Sequence, residues 1–104
     1  MQMSVLSTAY VIVPVLATTT SGPEDPTGDP VEFAFKAAGA DPGMSDWIGG
    51  SWVDGTLNGT YLAQCLVGPE GGAVLALGSY VVWTKITDDP EVPVLQAGVL
   101  TITP

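Results

Sequence analysis

The clearest signal in the chain is an alternation: in Val31-Glu32-Phe33-Ala34-Phe35-Lys36, Val31, Phe33 and Phe35 fall on one face and Glu32 and Lys36 on the other. A period of two is what a half-buried strand requires, because successive side chains leave it on opposite sides. The run Gly78-Ser79-Tyr80-Val81-Val82-Trp83-Thr84-Lys85-Ile86-Thr87 is the strongest strand, with Val81, Trp83 and Lys85 against Val82 and Ile86, so both of its faces are rather apolar. Residues 4–20 are rich in Val, Ile, Thr and Tyr and carry no charge, which predicts one long strand, or two short ones divided at Pro14, at a sheet edge. Residues 51–54 make a short strand closed by the Asp54-Gly55 and Asn58-Gly59 turn signals, and residues 60–67 make the next. An apolar piece at 73–77 leads into the strong strand, and residues 92–95 and 99–103 complete about seven strands with no helix.

Turn formers separate these runs. Residues 21–30 contain no apolar side chain outside proline and read as a solvated loop. The glycine-rich segment 37–50 reads as a long connection crossing between sheets, pinned by Trp47. Gly68-Pro69-Glu70-Gly71-Gly72 is a turn, since glycine costs roughly 1 and proline about 3 kcal/mol inside a helix. Short strands with turns every eight or so to twelve residues are the sequence pattern of a Greek-key sandwich. Within Leu75-Ala76-Leu77-Gly78-Ser79-Tyr80, the Leu, Gly and Tyr spacing matches a tyrosine corner, in which the hydroxyl bonds back to the preceding backbone. The paired cysteines of antibody domains are missing.

Composition narrows the function classes. At 104 residues, 46% of them hydrophobic and 12% charged, residues 1–104 are expected to form one domain around one core. The net charge of −9 sets eleven carboxylates against only Lys36 and Lys85, leaving no basic face for phosphates or anionic lipid. Neither nucleic acid nor a membrane is expected as partner. Cys65 has no second cysteine to pair with, and residues 9–17 lack a preceding basic residue and are broken by Pro14, so synthesis in a reducing cytosol is expected.

The catalytic inventory is thin: there is no His, no Arg, and one Cys in mid-strand, where it reads as a small buried hydrophobe. No enzyme, no catalytic residue and no cofactor are expected. Glu24, Asp25 and Asp29 in one loop, and Asp88, Asp89 and Glu91 in another, supply hard oxygen ligands of the kind calcium takes. Neither group has EF-hand spacing, and acidic turns are ordinarily solvated surface, so no metal is expected. Trp47, Trp52 and Trp83 are read as packing residues of the core and of inter-subunit contacts, the alternative being an aromatic platform for a sugar ring.

Several stretches taken together carry a resemblance: Asp29-Pro30-Val31-Glu32-Phe33-Ala34-Phe35, Asp46-Trp47, Gly59-Thr60-Tyr61-Leu62-Ala63 with Val67-Gly68-Pro69, residues 78–94, and Ala97-Gly98-Val99-Leu100-Thr101-Ile102. Over residues 5–103 the chain resembles the small immunoglobulin-like virion proteins encoded among the head and tail genes of tailed phages of actinobacteria. The resemblance implies an all-β, immunoglobulin-like Greek-key β-sandwich with a structural role in the virion, made in the host cytoplasm. It implies a capsid decoration protein that binds the major capsid protein or other virion proteins and self-associates as a homo-oligomer, a trimer around a lattice symmetry point. A neck, tail or baseplate accessory protein is the alternative within that class, and a carbohydrate-binding module the alternative outside it. Val5, Leu6, Tyr10, Ile12, Trp47, Ile48, Trp52 and Trp83 are the expected contacts, being apolar beyond the needs of one small core.

Overall fold

The structure, a computed structural model, describes all residues except 16, 17, 20, 21, 24–27, 58, 59 and 88–91. It is all-β. The five-stranded sheet has the order β1-β10-β9-β5-β6, built from Gln2–Ser4 (β1), Val94–Thr103 (β10), Gly78–Ile86 (β9), Val31–Lys36 (β5) and Ile48–Gly49 (β6). The three-stranded sheet has the order β2-β8-β7, from Ala9–Val15 (β2), Thr60–Val67 (β8) and Ser51–Leu57 (β7). Thr18–Thr19 (β3) and Gly22–Pro23 (β4) pair as a small ribbon. All pairings are antiparallel except β1 with β10, which are parallel in the register Gln2↔Thr101 to Ser4↔Thr103.

The two larger sheets face each other and make a β-sandwich. Val31, Phe33, Phe35, Val82, Ile86, Leu100 and Ile102 from one meet Val11, Val13, Val15, Ala63, Cys65 and Val67 from the other in a single buried cluster. β2, β5, β8, β9 and β10 each contribute alternate residues, so the period of two read from the sequence is the period of the core. The Phe33 and Phe35 rings, on the same face of β5, lie 6.4 Å apart at an interplanar angle of 21°.

Several expected boundaries moved. Pro14 does not divide the first run: it lies inside β2, and the division falls at residues 5–8, where the Ser7 N–H donates to the Ser4 carbonyl at 3.0 Å. An edge strand tolerates proline because its outer N–H has no ladder partner to lose. Asp54-Gly55 does not close a strand either, because β7 runs on to Leu57, and its register against β8 slips between Trp52 and Thr56. Asn58-Gly59 lies outside the described residues. Residues 92–95 and 99–103 are not two strands, since Val94 to Thr103 form one. Its break is a bulge between Gln96 and Gly98, with Gly98 at φ 142°, which only glycine adopts freely. Residues 73–77 form no strand, although Ala73 makes an isolated bridge with Val67.

The connection 37–50 does cross between sheets, but only at its end, for β6 within it first pairs with β5 in the same sheet. The crossing happens at Gly50, where the chain passes straight from β6 into β7. The Gly50 N–H donates to the Val31 carbonyl at 2.9 Å, and a Cβ there would lie 2.8 Å from the Phe33 ring and from the Gln64 carbonyl. This strap closes one long side of the sandwich. On the other side β1 and β2 leave their sheets as separate edges.

The expected tyrosine corner is present: the Tyr80 hydroxyl donates to the Ala76 carbonyl at 2.9 Å, just before β9 enters the sheet. The turn after β8 is also as expected. Gly68, at φ 136°, packs so tightly on the 5–8 turn that a Cβ would fall 2.4 Å from the Ser7 carbonyl oxygen. The Glu70 N–H donates to Thr8 Oγ1 at 3.1 Å and locks the two turns together.

Candidate interaction surfaces

The expected contact residues divide into three groups. Val5 and Trp52 are partly buried and pack against the core cluster. Trp52 Nε1 donates to the Asp29 carbonyl at 2.9 Å, which ties β7 to the approach to β5. Part of its surface thus serves the fold.

Trp47 and Trp83 lie on the outer face of the five-stranded sheet. Trp83 stands opposite Ala34 on β5 and Gln96 on β10. Ala34 is fully buried although it points away from the core, so this face is covered by its own large side chains. Lys85 Nζ sits 4.7 Å from the centre of the Trp47 ring and 3.4 Å from Glu32 Oε1. Lys36 Nζ lies 3.2 Å from Asp46 Oδ2, which also accepts the Gly43 N–H at 2.7 Å. These bonds, the Gly43 N–H first and Lys36 second, hold the Asp46 carboxyl below the usual aspartate range. The chain's two lysines are therefore both spent on carboxylates of this face. Trp83 Nε1 is buried and has no hydrogen-bond partner among the described residues, an arrangement that costs roughly 1–3 kcal/mol.

Leu6, Tyr10, Ile12 and Ile48 are the exposed group, at 83%, 53%, 47% and 37%. Ile48 stands alone at the strap. Tyr10 and Ile12 belong to a surface: with exposed Pro14 they form the outer face of β2, opposite the half-buried Leu66, Gln64 and Leu62 of β8. Gln64 Nε2 donates to Ser51 Oγ at 3.2 Å on the same face. No charged side chain occurs in residues 1–23 or 60–67, so this surface is neutral in a chain of net charge −9. Beside it, between the edges of β1 and β2, opens a cleft of about 290 Å³ lined by Met1, Met3, Tyr10, Val11, Ile12 and Leu100. A smaller hollow of about 140 Å³ lies under the 5–8 turn against Val67, Leu75 and Ile102. Drug-sized ligands occupy roughly 300–1,000 Å³, and both spaces are smaller than that.

Cys65 is buried in β8, facing Val11 across the ladder, and burial pushes its thiol up to about 11. A thiol held protonated in an apolar core is neither a nucleophile nor a metal ligand at neutral pH. Among the described residues no three His, Cys, Asp or Glu side chains converge as a metal site. Of the two acidic loops, Asp29 is described and Glu24, Asp25, Asp88, Asp89 and Glu91 lie outside the described residues. The sequence named Tyr10 and Ile12 as contacts from the uncharged, apolar run they sit in, but which face of β2 would point outward, and whether β8 would leave it open, were not in that pattern. Comparison with known proteins finds no family model, no curated protein and no solved structure that matches the chain.

Proposed function

We propose that this domain is a non-enzymatic assembly module: an immunoglobulin-like sandwich of a phage virion that decorates the capsid by binding the shell protein. The observation that carries the assembly reading is the neutral, apolar outer surface of β2 and β8, centred on Tyr10 and Ile12, on an otherwise acidic molecule. Contiguous exposed apolar surface on a small soluble domain marks an interaction site more often than a solvated face. The immunoglobulin-like assignment is supported by the strand order, the β1–β10 parallel pair and the Tyr80 corner. The virion and its shell enter through the resemblance of residues 5–103 to small phage virion proteins, which also supplies self-association.

The sugar-binding reading has less support. A stacking platform needs an open ring face, whereas Lys85 occupies one face of Trp47, Trp52 is partly buried against the core, and Trp83 is half-buried.

Electron cryo-microscopy of particles assembled with and without this chain tests the proposal. Additional density over the shell is the expected result. Density confined to neck, tail or baseplate moves the module to an accessory position, and particles without any added density overturn the virion role.

A further inference from the structure

We propose that the free edge of β2 is a self-pairing site, at which β2 of a second copy adds antiparallel and joins two three-stranded sheets into one. The inference rests on the reading of the domain as an assembly module, and is independent of the shell as its partner.

Three observations lead there. First, β2 pairs with β8 on one side only, and no described strand lies along its other side. Protein edges are ordinarily protected by charge, bulges or shortness. Over seven residues β2 has no charge and no register break, and Pro14 is its one protective residue. Second, the proline fixes the hydrogen-bond phase. A strand proline sits where the missing N–H faces away from the ladder, so Tyr10, Ile12 and Pro14 turn their backbone groups to the open edge while Val11, Val13 and Val15 bond β8. Tyr10 and Ile12 each then offer one N–H and one carbonyl.

Third, that set is complementary to itself. A two-fold axis at Val11 places Tyr10 opposite Ile12 of the second copy, and the reverse, so each of these N–H groups meets a carbonyl and Pro14 falls beyond the pairs. Such an isologous contact is what a two-fold dimer requires. Alternation is preserved across the junction, so Tyr10 and Ile12 of both copies share the outer face, and the second strand walls the cleft beside Val11.

Charge selects a copy over a foreign partner. A body of net charge −9 would recruit a basic partner through its acids, yet this edge carries none. It is also a place where two such bodies meet without opposing carboxylates.

Sedimentation of the full chain over a range of concentrations reads the dimer directly. Ile12→Lys, on an exposed side chain, is expected to raise the dimer dissociation constant about tenfold or more by placing like charges on adjacent strands. Val99→Lys, on the exposed outer face of the other sheet, is expected to leave it unchanged. A wild-type chain that stays monomeric up to millimolar concentration overturns the proposal, as does a dimer lost in Val99→Lys and kept in Ile12→Lys. Amide exchange on the unmodified protein is a second readout that needs no variant. Protection of the Tyr10 and Ile12 amides should rise with concentration, and fast exchange of both in a demonstrated dimer overturns the pairing. A wild-type dimer that binds no particle would remove the shell reading and leave the edge pairing standing.

Discussion

Tyr80 and Cys65 show how single groups in this sandwich carry measurable consequences. The Tyr80 hydroxyl bond to the Ala76 carbonyl anchors the loop before β9 and is partly solvated. Tyr80→Phe is therefore expected to cost about 1 kcal/mol, a fall in Tm of roughly 4–8 °C by calorimetry, with no change of fold. Cys65 titrates near 11 in the fold against 9.0 for the free thiol. Its folded pKa is the higher one, so its contribution to stability is complete below about pH 9 and is lost as pH rises toward 11. Denaturant midpoints should fall across that window, and Cys65→Ala should flatten the fall. Both residues were readable in the sequence: the corner from its Leu, Gly and Tyr spacing, the buried thiol from its place in an apolar run. For Trp52 packing was readable but its direction was not, because a tryptophan that packs on the core and bonds the Asp29 carbonyl has the same local sequence as one that faces a partner.

At the level of elements, β2 and β5 differ in what their outward faces hold. Outward Glu32 and Lys36 on β5 are engaged in ion pairs, whereas outward Tyr10, Ile12 and Pro14 on β2 stand uncharged in solvent. Val13 is almost fully buried and Ile12 about half exposed, so a matched pair of truncations tests the alternation. In dilute solution, Val13→Ala is expected to cost about 2 kcal/mol of unfolding free energy from lost burial and the cavity left behind. Ile12→Ala is expected to fall within about 0.5 kcal/mol of wild type. Equal costs for the two would mean that β2 is not set in this register. Strand existence was legible because alternation and β-branched residues are local signals. Strand ends were not: Pro14 left one strand or two open and Asp54-Gly55 read as a break, but proline is tolerated at an unpaired edge and an irregular pairing absorbs the Gly, and both depend on the neighbouring strand.

The whole molecule is acidic, elongated to 46 × 27 × 20 Å, closed along one side by the β6–Gly50–β7 strap and open along the other between β1 and β2. Two bodies of charge −9 that meet through a neutral edge still repel each other at long range. Self-association should therefore strengthen as salt rises from about 0.01 to 0.15 M, where the Debye length shortens from about 30 to 8 Å. Weakening with salt would instead point to an interface of opposite charges, and sedimentation at two ionic strengths distinguishes them. By itself the sequence determined the class: short strands, a core from alternate residues and a tyrosine corner, all consequences of local composition and period. Tertiary structure alone decided that β1 joins β10 in parallel, that the chain changes sheets at Gly50, and that β2 keeps an open edge. Those features depend on which strands lie side by side, and pairing between residues as far apart as Gln2 and Thr101 leaves no periodic trace in the chain.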